Sequence, residues 1–384
     1  MNEPFVVIGG GIVGSAIAWH LQEAGAETVL VERDLEPQGA SAFSFASITA
    51  FDEPLRDVYL LKSLGMVGWH RWEKQLGGDI GLRWDGEIRW AETPEAADSL
   101  RTNIDQAAGR GYPVRAISEK EVRDHLPESK PTNVLAASLA PEDGQADPRA
   151  AIDAARGDFA DRGGTLLVGR ASLRFDNDRI EVRVGDHQFV AARVILAAGA
   201  ETTAFLERLG WEIPMEPSPG LLVLTEPTQP IANGTVYVSP VTGPPIHLRQ
   251  LCDGRVLIGE RAQDHVAKDP TMGHARRLLQ QAEKSFPPLG KTTIDHFTVE
   301  WRPMPRDHMP IIGPLQGPSI YVATAHSGVT IAPAVGELVA HELLEHQPAK
   351  RLETFRSDRF VDRHTELVRD VEEVFELHPE TYLG

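Results

Sequence analysis

Gly9, Gly11 and Gly14 stand at the G-x-G-x-x-G spacing with Ile12 and Val13 between the last two, and Glu32 closes the next apolar run. Each glycine has a mechanical use. The first permits a tight turn off a strand, the second lets backbone approach a pyrophosphate, and the third lets a helix pack closely on the strand. A helix amino end placed there offers N–H groups and a partial positive charge to phosphates. A carboxylate at Glu32 can accept hydrogen bonds from both ribose hydroxyls, and Arg33 beside it can lie along an adenine edge. The chemistry is adenine-dinucleotide binding. Flavin and nicotinamide cofactors share this half, so these residues leave the choice between them open. Further along, His247 and Arg249 alternate in a β-prone run and so share one face, either lining a pocket or facing solvent.

The elements needed to position these residues are legible around them. Pro4 to Ile8 is a short apolar run with the character of a buried parallel strand. Ala16, Ile17, Leu21 and Ala24 form a helical stripe ending at Gly25, and Thr28 to Val31 is a second strand. The spacing predicts a complete βαβ unit. Similar buried strands are predicted over Val190 to Ala197, ending in Ala198-Gly199-Ala200, and over Ile320 to Ala325, which runs into His326-Ser327-Gly328. A helix is predicted over Val329 to Leu344.

Between these pieces, residues 95 to 125 carry helical patterning, and 219 to 226, 235 to 240, 244 to 250 and 255 to 260 are short β-prone runs. Asp253-Gly254 is a hairpin turn signal. The fold expected is α/β: a Rossmann-like dinucleotide-binding domain (1–80, 146–212 and 308–384) interleaved with an antiparallel-sheet α+β substrate domain (81–145 and 213–307). The charged tail from Lys350 to Glu376 is expected to be a solvated helical face.

Composition bounds the function. The 384 residues are 41% hydrophobic and 24% charged, enough for a large core. A net charge of −18 argues against nucleic acid or an anionic membrane surface as partner and in favour of a small molecule. Cys252 is the only cysteine, which excludes an intramolecular disulfide and a cysteine-based metal site and fits a reducing cytoplasm. No metal site is expected. The amino-terminal run is broken by glycines and does not read as a signal peptide, and no apolar run is long enough to predict a membrane span.

The small-residue stretch Gly39-Ala40-Ser41-Ala42-Phe43-Ser44-Phe45-Ala46-Ser47 would let backbone pass close to a flat ring. With it, several segments carry a resemblance: Gly9 to Arg33, Ala146-Asp147-Pro148, Val194 to Ala200, Arg302 to Gly313 and Ala325 to Pro333. Over nearly its full length the chain resembles the amine- and amino-acid-oxidising flavoproteins that include D-amino acid oxidase, glycine oxidase, sarcosine oxidase and D-amino acid dehydrogenase.

The resemblance implies FAD. It implies that Ala40, Ser41, Phe45, Ala46 and Ser47 flank the flavin ring and that backbone around Ala171 and Ser172 touches adenine. It implies that Ala198 and Gly199 pass near the dinucleotide, and that Ser327, Gly328, Val329, Thr330 and Ile331 cap the pyrimidine end of the flavin. A helix opening at Gly328 would stabilise negative charge developing there on reduction. Arg302 matches the family's carboxylate-binding arginine. His326 falls where the family places a polar residue above the flavin, as a contact to substrate or flavin or as a helix cap.

No cysteine stands between Val299 and Gly313, so noncovalent FAD is expected. No lysine matches the one thought to promote reaction with oxygen, which leaves oxygen or another electron acceptor open. The activity implied is oxidation of a small amino acid or N-alkyl amino acid at its C–N bond, by hydride transfer to flavin N5, giving an imine that hydrolyses. The alternatives are an FAD-carrying subunit of a heteromeric amine or amino-acid dehydrogenase and, from the shared glycine motif, a nicotinamide dehydrogenase.

Overall fold

The computed structural model describes residues 3–77, 80–176, 179–260, 271–315 and 320–360. The described residues divide into two compact units, those within 1–38, 152–216 and 303–384 in the first and those within 39–151 and 217–302 in the second.

The first unit is built on a six-stranded sheet. Its order is Ile311–Pro314, Ile320–Thr324, Arg193–Leu196, Phe5–Ile8, Thr28–Glu32 and Thr165–Val168. All neighbours are parallel except the first pair. Val6, Val7, Leu30, Ile195 and Val322 are buried, as strands covered on both faces require. The Ile12–Glu23 and Gly328–Glu345 helices pack so closely that a β-carbon on Gly336 would meet the Ala16 carbonyl at 2.8 Å.

The single strand expected over 190–197 is two. His187–Ala191 belongs to a separate three-stranded antiparallel sheet with Arg179–Val184 and Ala171–Asp176, and the central strand starts afresh at Arg193. Val190 and Ala191 on one side and Val194, Ile195 and Leu196 on the other read as one apolar run, so only Ala192 and Arg193 mark the break. Lys350–Phe355 and Ser357–Phe360 are 3-10 turns that bury Leu352 and Phe355, in place of the expected solvated helix. The remainder of that tail lies outside the described residues.

In the second unit an eight-stranded sheet runs Ile294–Trp301, Pro219–Thr225, Val256–Glu260, Ile246–Gln250, Thr235–Ser239, Glu87–Ala91, Ala136–Ala140 and Arg115–Ala116. Every pairing is antiparallel except Thr235–Ser239 with Glu87–Ala91. Those two strands come from different segments of the chain, so no hairpin sets their direction. Leu221, Val223, Val236, Leu248, Val256 and Ile258 pack with Ala275, Leu278 and Ala282 of the Met272–Ser285 helix as one core.

The contact-defined boundaries differ from those read in the sequence. Residues 39–80 fall with the second unit, because Phe51 and Tyr59 pack with Ala91, Leu100, Ile104 and Tyr112, and so do 146–151, where the Ala146 carbonyl accepts from Arg249. Residues 213–216 and 303–307 fall with the first, because Met215–Glu216 pairs with Met304–Pro305. Among the described residues no helix is long and apolar enough to cross a membrane.

Candidate functional site

In the first unit the glycine loop is held by its own backbone. Gly9 lies at φ +101°, where a β-carbon would meet the Ala197 carbonyl oxygen at 2.5 Å. Gly14 packs directly on the Gly9 carbonyl. Gly11 is the N-cap of the Ile12–Glu23 helix, and no side chain caps that helix.

Glu32 is tied to the loop. Its Oε2 accepts from the Gly10 N–H at 2.6 Å and lies 3.4 Å from Arg156 Nη2, while its Oε1 accepts from the Arg33 N–H at 2.7 Å. Arg156 also donates to the Gly10 carbonyl at 2.7 Å and to the Leu35 carbonyl at 2.8 Å, and its Nε is buried without a hydrogen-bond partner. Burial lowers its pKa, opposed by the Glu32 carboxylate. The Arg33 side chain, expected along an adenine edge, pairs with Asp34 at 2.8 Å and Glu201 at 2.7 Å, which raises its pKa despite partial burial.

A second helix end meets the first. Ser327 is the left-handed N-cap of the Gly328–Glu345 helix, again with no side-chain cap. A β-carbon on Gly328 would lie 3.3 Å from Val13 and 3.9 Å from Ile12. Two helix amino ends therefore converge, with Val329, Thr330 and Ile331 buried in the first turn of one of them. Such ends attract anionic groups. Ala198 and Gly199 follow the Arg193–Leu196 strand, and the Gly199 carbonyl accepts from Thr324 at 3.2 Å. His326 is exposed just before this helix, and Ser172 lies half-buried on the Ala171–Asp176 strand, opposite Arg183.

The remaining candidates lie in the second unit. Ala40 and Ser41 form the short Gly39–Ala42 helix, and Ser47 pairs with Gln145. Ala46 takes a left-handed φ of 55°. The face of the large sheet away from its core carries the polar residues by strand alternation. Cross-strand partners on it include Thr298 and Leu222, Leu222 and Gly259, Gly259 and His247, His247 and Tyr237, and Tyr237 and Arg89. The Arg302 N–H donates to the Ser218 carbonyl at 2.9 Å, which continues the strand register past Trp301. Arg302 thus falls on the same face as His247 and Arg249. Phe45 stacks edge-on against His247 at 4.3 Å, so the Gly39 to Ser47 segment lies on this face too.

Deeper on the face is a charge network that the motifs did not signal. Arg89 pairs with Glu87 at 2.5 Å and Asp52 at 2.6 Å, with the Tyr237 ring 4.4 Å and the Phe51 ring 4.7 Å from its guanidinium. Burial pushes the Glu87 carboxyl up against the pull of Arg89. Burial likewise lifts Asp143, which accepts from Tyr112 and from Thr49. Arg156 did leave a signal in the sequence. It lies on the stripe Ile152, Ala155, Arg156 and Phe159, whose members are all buried, and an arginine there is out of place unless it has a polar partner.

A parallel sheet with a glycine loop at its switch and an acid closing the second strand defines a dinucleotide-binding protein. Residues 5–342 match the family model described as FAD dependent oxidoreductase. The chain belongs to that family. It is 24% identical over 368 residues to an opine oxidase subunit from Rhizobium meliloti, spanning 92% of this chain and 96% of that relative. Its fold is similar to the crystal structure of glycine oxidase from Geobacillus kaustophilus, with a TM-score of 0.84 at 23% identity over 94% of this chain and 99% of that one. L-proline dehydrogenase from P. horikoshii is similar to the same degree, with a TM-score of 0.84 at 24% identity over 94% of this chain and 98% of that one.

Proposed function

We propose that the protein oxidises a small amino acid or N-alkyl amino acid at its C–N bond, with Arg302 holding the substrate carboxylate. The observation that carries this reading is the position of Arg302, which continues the strand register onto the sheet face that also bears His247 and Arg249. The names of the glycine-, proline- and opine-oxidising relatives support the same substrate class.

FAD fits the first unit's loop. Gly9 makes the turn and Gly14 the helix packing, Gly11 lets backbone approach a pyrophosphate, the amides of Ile12 and Val13 lie at a helix amino end, and Glu32 and Arg33 serve the ribose and adenine. Ser172, Ala198 and Gly199 complete the dinucleotide side. Ala40, Ser41, Phe45, Ala46 and Ser47 flank the ring, and Ser327, Gly328, Val329, Thr330 and Ile331 supply a second amino end for its pyrimidine edge. His326 contacts the substrate or the ring from just before that helix. On this reading FAD is held without a covalent bond, since no cysteine stands between Val299 and Gly313.

When bound, FAD supplies the hydride acceptor. Arg302 offers a planar fork that fixes both carboxylate oxygens and so aims the carbon beside the amine. The imine released then hydrolyses in water. The reducing cytoplasm is the compartment we expect.

An anaerobic screen following flavin bleaching tests this. Amino acids or N-alkyl amino acids should bleach the flavin while the matching plain amines do not. Bleaching by hydroxy acids alone, or by amines equally well, would overturn the reading.

A second reading is an FAD-carrying subunit of a heteromeric dehydrogenase. It is favoured by the name of the Rhizobium relative and by Leu64 and Val67, 37% and 57% exposed on the Arg56–Leu76 helix. Bleaching by substrate only when a partner chain is co-expressed would support it.

A further inference from the structure

Three arginines are buried among the described residues, and two of them have a carboxylate. Arg89 pairs with Glu87 and Asp52, and Arg156 with Glu32. Arg249 is 4% exposed and has no carboxylate within ion-pair distance among the described residues. Its Nη1 donates to two neutral oxygens, Ala146 O at 2.8 Å and Gln145 Oε1 at 3.3 Å, and its Nε is buried without a partner. Burial lowers its pKa to about 10, with the Asp147 charge opposing from a distance, so it stays protonated at neutral pH.

A desolvated cation without a counterion is costly, and folded chains rarely keep one unless an anion arrives to meet it. The surroundings are those of a binding wall. Arg249 shares a strand face with His247, its guanidinium lies 5.8 Å from the Phe45 ring, and Phe45 in turn packs on His247 and Tyr237. Arg302 is on the same face but at another place. Arg249 is opposite Leu257, which is opposite Leu224, whereas the Arg302 register follows Trp301 opposite Pro219. From Pro219 to Leu224 the strand advances roughly 17 Å at about 3.3 Å per residue.

We propose that Arg249 is a second anion anchor of the substrate face, and that the substrate is an amino acid carrying a second carboxylate. This rests on the reading of Arg302 given above. Arg302 holds the carboxylate beside the reacting carbon, and Arg249 holds the distal one, so the separation of the two anchors calls for a chain between the carboxylates longer than that of glutamate. The distal pair acts as a specificity determinant, because a substrate without that carboxylate leaves Arg249 buried and unpaired.

The test compares ligands that differ by one carboxylate. Suberate and octanoate are titrated into the FAD-loaded protein and followed by perturbation of the flavin spectrum. Both enantiomers of 2-aminosuberate and of 2-aminooctanoate are compared by anaerobic flavin bleaching. The wild type should favour the dicarboxylate in each pair by on the order of 30-fold or more. Arg249→Gln should bring that ratio to about one, and Arg249→Lys should restore part of it. FAD content and thermal midpoint of each variant establish that it is folded.

A wild type without preference for the second carboxylate, or a preference unchanged in both variants, would overturn the proposal. Inorganic phosphate competing as well as suberate would assign the site to a free anion and overturn the substrate assignment. Bleaching by 2-aminooctanoate as strong as by 2-aminosuberate would sink this inference while leaving the Arg302 reading intact. Bleaching by no amino acid, with suberate binding still dependent on Arg249, would support the anchor and overturn the amino-acid reading.

Discussion

A β-carbon on Gly14 would stand 1.8 Å from the carbonyl oxygen of Gly9, so the first turn of the opening helix and the end of the first strand are in backbone contact. No shift of a side chain can relieve that clash. Gly14→Ala should lower the thermal midpoint and release FAD together. Gly11 differs, since its φ of −60° suits any residue. Gly11→Ala should keep its thermal midpoint as the apoprotein and lose FAD, because its methyl group would stand where backbone approaches the pyrophosphate. Flavin absorbance per protein after gel filtration measures both, and full flavin content in Gly11→Ala would remove the loop from the cofactor assignment.

The Arg89 network is a costly place to remove a charge in the second unit. Arg89→Met leaves the buried Glu87 and the partly buried Asp52 without their cation, with an expected cost of about 3–5 kcal/mol in urea unfolding. Adding Glu87→Gln to Arg89→Met should recover part of that loss. A single variant within about 0.5 kcal/mol of wild type would show the network to be stabilised from elsewhere.

What was legible in the sequence follows period and punctuation. The unit from Phe5 to Glu32 declares itself because strand, glycines, helix stripe and acid fall in order. Arg302 could be singled out because it opens the segment to Gly313 that carries the resemblance. Long-range pairing is not written locally. Arg89 alternates in its strand like any residue, while its partner Asp52 comes from another part of the chain. The division of 39–80 depends on where Tyr59 and Phe51 pack, and nothing in that segment names its neighbours. The motif leaves the residue at Gly10 open, yet a β-carbon there would meet Arg156 at 2.7 Å and Glu32 at 3.1 Å.

Asp307 and Arg359 tie the turn before the Ile311–Pro314 strand to the Ser357–Phe360 turn at 2.8 Å. Burial alone would push the Asp307 carboxyl up, but the bonds from Arg359 and from the Met309 N–H carry it below the usual range. The pair therefore stabilises above the unfolded carboxyl's pKa, near 3.9, and that contribution is lost as pH falls through the lower folded value. Asp307→Asn should flatten stability below about pH 4 and cost less than about 1 kcal/mol at neutral pH, since the pair is partly exposed. An unchanged acid-unfolding profile would show that the tie carries no weight.

Hydride leaves the carbon beside nitrogen readily only when that nitrogen has a lone pair to push. The ammonium form of the substrate should be unreactive, so flavin reduction at saturating substrate should rise with pH across the ionisation of the bound amine. A rate constant flat from about pH 6 to 10 would point to a hydroxy acid as donor.

Arg302 is the residue on which the substrate class depends. Its guanidinium is half-buried and donates to the Ser218 carbonyl at 3.3 Å and the Pro219 carbonyl at 3.4 Å, so the strand end orients the fork. A carboxylate meets such a fork in two-point geometry. Removing one partner of a desolvated charged pair costs on the order of 2–5 kcal/mol, so Arg302→Ala should lose roughly 30-fold to several thousand-fold in kcat/KM. Arg302→Lys should recover only part, because an ammonium restores charge but not the planar fork. FAD content and the flavin spectrum should stay unchanged in both variants, since the residue serves substrate and not cofactor. Near-normal bleaching of Arg302→Ala by the best amino-acid substrate would make Arg302 a strand-end brace, and the carboxylate would then have to be held elsewhere on the sheet face.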